Sequence, residues 1–452
     1  MRGPQVGLID SLNTARMWPS NHRRGSTLSQ ARQALWLPRL LDVRRICRVA
    51  PSVRKLGQIH PYPAKMMGEI SASVLLEMRH RTRSASLLDM MCGTGTSLMH
   101  GRILGWRTVG LDINALAVLI SRVKTEDYTR ESLAGLSESF TSAFKQVGSS
   151  DWKQVLESSE YASIDSWYCP GVLKTLAKVR VAVDQTATSP RYKRILRLCL
   201  ARTARIVSKA DPEVMPPTIS KRWRRSFAYR RHPDVMSVFG GSLIRMVESL
   251  VSSLGSYLGP KSEVLQKDAR HTGLPAHSFD LCFFSPPYFT AHDYVRSTKL
   301  EMLVAGLVTL EDLGGLRDLA IGGMRAGVRS TAPVPRLGIV ECDRFLRRLH
   351  LKSTERAHHL KSYLDGMQHV LAEAKRVVNP RGSLILVVGD GTSQGIHVPL
   401  ARLLHRVAAE EGFTLVKRPI RSHIVSRGFM TKRNSTAGVI ESEWILSLKP
   451  AV

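Results

Sequence analysis

Two short runs place side chains at spacings suited to moving a small group between molecules. The first is Leu87-Leu-Asp-Met-Met-Cys-Gly-Thr-Gly-Thr-Ser97. It reads as a strand ending in the acid Asp89, then a turn at Gly93 and Gly95 that lets the backbone come close to a ligand. The helix that follows presents its N-terminal N–H groups to that ligand. A dinucleotide site of the G-x-G-x-x-G type needs a third glycine, which is missing here. A carboxylate just before the turn repels phosphate and pairs with a cationic amino acid. The next strand ends in Asp112, 23 residues after Asp89, where an acid accepts hydrogen bonds from ribose hydroxyls. One site thus reads an amino-acid end and a ribose, and S-adenosylmethionine carries both. A turn of purely structural use is the competing reading.

The second run is Ser285-Pro-Pro-Tyr288, directly after the apolar stretch Phe279-Asp-Leu-Cys-Phe-Phe284. Successive prolines give a rigid extended backbone with no N–H groups to donate. Their carbonyls and the Ser285 side chain are suited to orienting an amino group. Tyr288 beside them is suited to stacking on a base turned out of its helix. Transfer of a methyl group to an exocyclic amine is direct attack on the sulfonium methyl, so positioning is what the protein must supply. No covalent cysteine is needed, and Cys282, inside the strand, is expected to pack in the core.

The elements that position these runs are legible from their periodicity. Ser86–Asp89 and Arg107–Asp112 read as buried strands, with a helix over Thr96–Leu104 between them and Gly105 at its C-terminal end. A further helix starts near Asn114. Strand, glycine turn, helix and strand make a βαβ unit, which favours a parallel sheet. Residues 127–260 change character: helical stretches such as Glu131–Phe144 and Leu243–Leu258 dominate. The α/β pattern returns at 262–290, followed by a mixed, glycine-containing insertion at about 291–345. Tyr363–Val378 reads as a helix and Gly382–Val388 as a buried strand. Phe413–Val416 and Glu443–Leu448 are spaced to pair as a terminal antiparallel hairpin.

With these runs in this order, the sequence resembles the DNA amino-methyltransferases, the cytosine-N4 and adenine-N6 enzymes that use S-adenosylmethionine. The likeness covers roughly half the chain. His60-Pro-Tyr-Pro-Ala-Lys65 is similar to the family's N-terminal cofactor motif, which implies His60, Tyr62, Pro63 and Lys65 near the methionine end. Asp89 to Thr96, with Cys92, Gly93, Thr94 and Gly95, matches the glycine-rich cofactor motif. Asp112, followed by Ile113, matches the ribose acid, and Lys267-Asp-Ala269 stands where the family places a dipeptide against adenine, implicating Asp268 and Ala269. Ser285, Pro286, Pro287 and Tyr288 match the catalytic tetrapeptide, in which a leading serine leans toward cytosine N4 and an aspartate toward adenine N6. The resemblance implies an α/β fold: a Rossmann-like class I methyltransferase, mostly parallel with a terminal β-hairpin, plus a mainly helical inserted subdomain. Residues 291–301 and 387–390 also look familiar from bacterial members, without an assigned role.

Domain boundaries follow. Residues 1–55 form a basic N-terminal arm with eleven Lys/Arg and only Asp10 and Asp42 as acids, or an extension with no role of its own. Within that arm Ser29–Asp42 has the pattern of an amphipathic helix interrupted near Pro38. Residues 56–126 are the cofactor half, 127–260 the helical insertion, and 261–452 the catalytic half. The insertion is placed where family members carry target recognition. Its basic stretch 191–232 has thirteen Lys/Arg against Asp211 and Glu213. There Lys221, Arg222, Trp223, Arg224, Arg225, Tyr229, Arg230 and Arg231 interleave cations with aromatics and are assigned to nucleic acid; a solvated charge run is the alternative. Trp167-Tyr168 is expected in the core, with substrate contact as the alternative.

The whole chain has 66 Lys+Arg against 37 Asp+Glu, a net charge of +29. A polyanion is the expected partner, because neutralising phosphates releases counterions: DNA first, RNA as the alternative. Hydrophobic residues make up 43%, which excludes collagen-like and disordered classes. The six cysteines form no C-x-x-C pair, and the histidines form no H-E-x-x-H, so neither a disulfide framework nor a metal is expected. No apolar run approaches the roughly 18 residues of a membrane span, and residues 1–25 lack the apolar core of a signal peptide. A reduced, cytoplasmic, nucleoid-associated protein is the expectation. An adenine-N6 enzyme, an RNA amino-methyltransferase and a non-catalytic nucleic-acid-binding protein are the rival functions.

Overall fold

A computed structural model describes residues 39–41, 49–63, 65–79, 85–212, 214, 216–220, 234–289, 293–322, 331–423 and 442–451. Most of the basic arm, and all of Lys221–Arg231, lie outside the described residues.

The chain opens with β1 (Arg39–Leu41), α1 (Pro51–Gly57) and α2 (Gly68–Arg79). The βαβ unit follows as β2 (Ser86–Asp89), α3 (Thr96–Ile103) and β3 (Arg107–Asp112), with α4 (Ala115–Lys124) after it. Asn114 caps α4, its side chain accepting from the N–H groups of Leu116 and Ala117. The helical region holds α5 (Arg130–Ala134), α6 (Leu136–Gln146), α7 (Ser149–Leu156) and α8 (Ser159–Ala162). It continues through α9 (Pro170–Gln185), α10 (Pro190–Ile206) and α11 (Val235–Ser252). Then come β4 (Glu263–Gln266), β5 (Phe279–Phe284), α12 (Tyr294–Val304), α13 (Leu310–Leu319) and α14 (Val340–His350). The chain closes with α15 (Thr354–Val377), β6 (Val378–Gly389), β7 (Gly391–Ser393), β8 (Ile396–Val398) and α16 (Leu400–Glu410). Its last strands are β9 (Phe413–Leu415), β10 (Ile420–His423) and β11 (Ser442–Pro450).

The main sheet runs β1-β10-β11-β6-β5-β2-β3-β4, with β9 also on β11. Strands β4, β3, β2, β5 and β6 are parallel neighbours; β11 is antiparallel to both β6 and β10. The expected antiparallel pairing forms in part: Leu448 lies opposite Leu415 and Pro450 opposite Phe413, while Glu443–Ile445 pair with β10, which falls between the two strands in the chain. Alternation along the strands explains why both sheet faces are covered. Leu87, Leu281, Phe283, Ile385 and Val387 face one side and pack with Ile70, Val74 and Leu75 of α2. Leu88, Cys282, Phe284, Leu384, Leu386 and Val388 face the other and pack with α15 and α16.

Several expectations are corrected. Glu131–Phe144 is two helices, broken at Gly135, which ends α5 and starts α6. The Leu243–Leu258 stretch is shifted back to α11, whose N-cap Asp234 accepts from Ser237 N–H. Within the proposed amphipathic helix of the arm, Arg39–Leu41 is instead a strand parallel to β10, in which backbone pairing overrides helical periodicity. The mixed insertion after residue 291 contains two regular helices, α12 and α13. Helix α11 has 18 residues of mean hydropathy 1.3, long and apolar enough to cross a membrane by those measures. It carries Arg245 and Glu248, however, and buries Val235, Phe239, Leu243, Met246 and Leu250 in a core shared with α4, α9, α10 and α12.

That shared core means the helices of 130–252 pack directly on the α/β unit. Arg102 of α3, almost fully buried, ties down both ends of the insertion. Its guanidinium donates to the carbonyls of Thr125 (2.7 Å) and Gly259 (3.1 Å) and to Asp127 (2.8 Å), and lies 4.2 Å from the centre of the Tyr257 ring.

Candidate active site

The two motif runs meet in one crevice at the carboxyl ends of β4, β3, β2 and β5, where a parallel sheet reverses its strand order and leaves space for a ligand. The cavity is about 1000 Å³ including its open mouth. Its floor is Asp89 to Gly93, Thr94, Thr96 and Ser97 after β2, with Asp112, Ile113 and Asn114 after β3. Lys267, Asp268 and Ala269 come from the loop after β4, and Ser285, Pro286 and Pro287 from the end of β5. Tyr62, Pro63, Lys65 and Met66, between α1 and α2, form one wall. Tyr294, Val295 and Leu319–Ile321 form the other.

The glycine turn is built as its residue types require. Gly95 sits at φ +72°, a left-handed conformation that glycine adopts freely, and a Cβ there would meet Ser121 Oγ at 2.8 Å. Asp112 accepts from the N–H groups of Gly93 (2.9 Å) and Asn114 (2.9 Å), so its carboxylate fixes the turn. Burial raises its carboxyl to about 6. Burial raises Asp89 further, to about 7, against the pull of hydrogen bonds from the Ser97 hydroxyl and Met91 N–H. A desolvated carboxylate of this kind favours a cationic ligand group. Thr94 Oγ1, also buried on the cavity lining, has no hydrogen-bond partner among the described residues.

Ser285 is oriented by the neighbouring strand. Ser285 Oγ donates its proton to Val387 O at 2.8 Å, leaving its lone pairs to accept from a group in the cavity. Tyr62 and Tyr294 stack across the mouth with ring centres 6.3 Å apart. Lys65 Nζ donates to His60 O at 3.1 Å, and burial brings its ammonium down to about 8.

Three of the sequence-assigned residues do not line the cavity. Tyr288 is buried behind it, with its hydroxyl on Glu443 of β11, so its ring does not face the space where a base would stack. His60 is buried, with Nδ1 against Pro61 O at 2.6 Å, and burial drives it down to about 3, so it is neutral. Gly95 lies under the turn as the N-cap of α3. Asp268 does line the cavity, but its carboxylate is held by Arg270, both Oδ atoms lying 3.0 Å from Nε. Cys282 is fully buried in β5, and Tyr168 is buried with its hydroxyl on Ala204 O, whereas Trp167 is partly exposed.

Sequence reasoning missed Met90, Met91, Asn114, Ser97, Met66, Lys267, Tyr294, Val295 and the Leu319–Ile321 wall. Asn114 carried a signal as a helix cap, and Ser97 as a hydroxyl in the first turn of α3. The Leu319–Ile321 wall carried none, because its place depends on how α13 folds back.

Fold and site together define the class: a Rossmann-like α/β fold of the class I methyltransferases, with its ligand crevice at the strand-order switch. No family model matches the chain. The chain is similar to the type II methyltransferase M.MvaI of Kocuria varians, 20% identical over 423 residues that span 86% of this chain and 90% of that protein. Among solved structures, the rRNA methyltransferase AviRa of Streptomyces viridochromogenes aligns over 88% of this chain and 90% of its own, with 10% identity and a TM-score of 0.30. TTHA0409 of Thermus thermophilus, assigned as a DNA modification methylase and crystallised with S-adenosyl-L-methionine, aligns over 41% of this chain and 54% of its own, with 20% identity and a TM-score of 0.22. Those TM-scores lie too low for the superpositions to bear on the site.

Proposed function

We propose that this chain is an S-adenosylmethionine-dependent methyltransferase acting on the exocyclic amino group of a base in DNA, with cytosine N4 as the preferred target. The observation that carries this reading is the meeting of Asp89, Asp112 and Ser285–Pro287 in one cavity. The similarity to a type II methyltransferase over most of both chains supports it.

The residues present fit the cofactor. Asp89 suits its ammonium, Asp112 its ribose, and the open glycine turn leaves room for its aminoacyl chain, since a Cβ at Gly93 would meet nothing within 4 Å. When bound, the cofactor supplies an electrophilic methyl group. The protein's part is orientation: Ser285 Oγ, its proton committed to Val387 O, accepts a hydrogen bond from the target amine and aims the nitrogen lone pair. The rigid Pro286-Pro287 backbone holds that geometry. On this reading the protein works in a reduced cytoplasm beside the nucleoid.

Nucleoside mass spectrometry tests it. The protein is expressed in a bacterial host lacking DNA methylation, beside Ser285→Ala, and DNA and RNA are digested separately. N4-methylcytosine in DNA, lost or strongly reduced in the variant, is the expected result. N6-methyladenine would overturn the cytosine preference and keep the mechanism. A mark in RNA alone would overturn the DNA substrate, and no mark in either pool would overturn the enzymatic reading.

A further inference from the structure

We propose that Arg296, Lys299 and Arg317, with Trp167 beside them, form a surface that grips the phosphodiester backbone of the nucleic acid at the mouth of the cavity. The inference rests on the methyltransferase reading and goes beyond it by assigning the grip to residues outside the motifs and outside the basic stretch 221–231.

The placement follows from two helices that each present one side to the cavity and another to solvent. Helix α12 lines the cavity with Tyr294 and Val295, while Arg296 is exposed and Lys299, three residues on, lies on the same side of the helix. Helix α13 ends at Leu319, a lining residue, and Arg317 is exposed in its last turn. Lys299 Nζ stands 4.8 Å from the centre of the partly exposed Trp167 ring. Among the described residues no ion pair engages any of the three cations. Of the acids of α13, Glu311 and Asp312 lie at its start, where Asp312 is used in the capping box with Thr309, while Asp318 follows Arg317 in the last turn.

Like charges brought close to one another repel. Lys299 is held below the usual lysine range by burial and then by the charges of Arg296 and Arg317. A phosphate between them relieves that repulsion and releases counterions. An aromatic face flanked by cations is also how single-stranded backbones and bases are held without sequence preference. A base turned into the crevice brings its own flanking phosphates toward α12 and α13, the helices that line it with Tyr294, Val295 and Leu319 and also carry these cations.

The test is fluorescence anisotropy with a labelled 30-base-pair DNA duplex of mixed sequence, its single strand, and the matching RNA, over a range of NaCl. The triple variant Arg296→Gln/Lys299→Gln/Arg317→Gln is compared with Arg344→Gln/Arg347→Gln/Arg348→Gln, which removes the same charge from exposed positions on α14. Calorimetry with S-adenosylmethionine on each variant checks that the cavity is intact. For the probe that wild type binds, the α12–α13 variant should lower the slope of log affinity against log salt by about two to three, at about 0.9 per phosphate contact. The α14 variant should change it by less than about one. If the triple variant loses the cofactor, Lys299→Gln alone is read, with an expected loss of about one. Trp167→Leu should weaken binding about fivefold or more, on the scale of a lost stacking contact. An unchanged slope, or an equal loss in the α14 variant, overturns the surface while cofactor binding keeps the enzymatic reading. Wild type that binds the cofactor but none of the three probes overturns the surface and the nucleic-acid substrate together.

Discussion

Asp89 ionises within the physiological range because burial outweighs its two hydrogen bonds, leaving the carboxyl at about 7. A cationic ligand group binds the carboxylate form, so binding must also remove the proton that the free protein holds. The sign is definite: below 7 most Asp89 is protonated and binding is penalised; as pH rises through 7 the penalty disappears. Asp112, raised by burial to about 6, adds in the same direction at the acid end. Calorimetric affinity for S-adenosylmethionine should therefore rise about tenfold from pH 6 to pH 7, about fivefold from Asp89 and about twofold from Asp112, below the range where an α-amino group itself titrates. Asp89→Asn should bind more weakly at pH 7 and show a flatter profile. A wild-type affinity that is level across this range would remove Asp89 from contact with the ammonium.

Among the elements, the joint between the helical insertion and the sheet depends on a side chain that no motif marks. Arg102 bonds the carbonyls of Thr125 and Gly259, one at each end of the insertion. Its ion pair with Asp127 adds little, since that carboxylate is 60% exposed. Arg102→Met keeps much of the packing but leaves two carbonyls without their donor, and should lower stability by about 2–4 kcal/mol. Asp127→Asn should change it by no more than about 0.5 kcal/mol. Denaturant midpoints measure both, and equal effects would place the stabilisation in the ion pair. The same joint shows where the sequence stops being legible. The βαβ unit, β5 and the terminal antiparallel strands are written in local periodicity, and Asp89, Asp112 and Ser285 in local motifs. The direction of Tyr288 is not, because it is decided by Glu443 on a strand 155 residues away. Nor is the break at Gly135, since a lone glycine inside a helical pattern is compatible with continuing the helix. Nothing in the sequence sets Arg102 apart from any other cation in the last turn of a helix; only the fold makes it a buried connector.

At the scale of the whole molecule, a net charge of +29 opposes compaction whenever no polyanion is bound. Local ion pairs work the other way: Glu341 is gripped by Arg402 and Arg406, and the buried Glu126 by Arg194 at 2.5 Å and Lys261 at 3.3 Å. Salt screens both, but it screens the many exposed, unpaired cations most, because short and partly buried pairs are shielded from it. The excess of repulsion should win. Raising NaCl from about 50 to 300 mM, which shortens the screening length by more than half, should raise the apparent Tm of the free protein by about 1–2 °C. Adding the 30-base-pair duplex at the lower salt should raise it as well, by mass action on the folded state, and that increment should shrink as salt releases the duplex. Scanning calorimetry with and without duplex at both salts separates the two. A Tm that falls with salt in the free protein would mean that the ion pairs of Glu126 and Glu341, and not the unpaired cations, set the electrostatic balance of the fold.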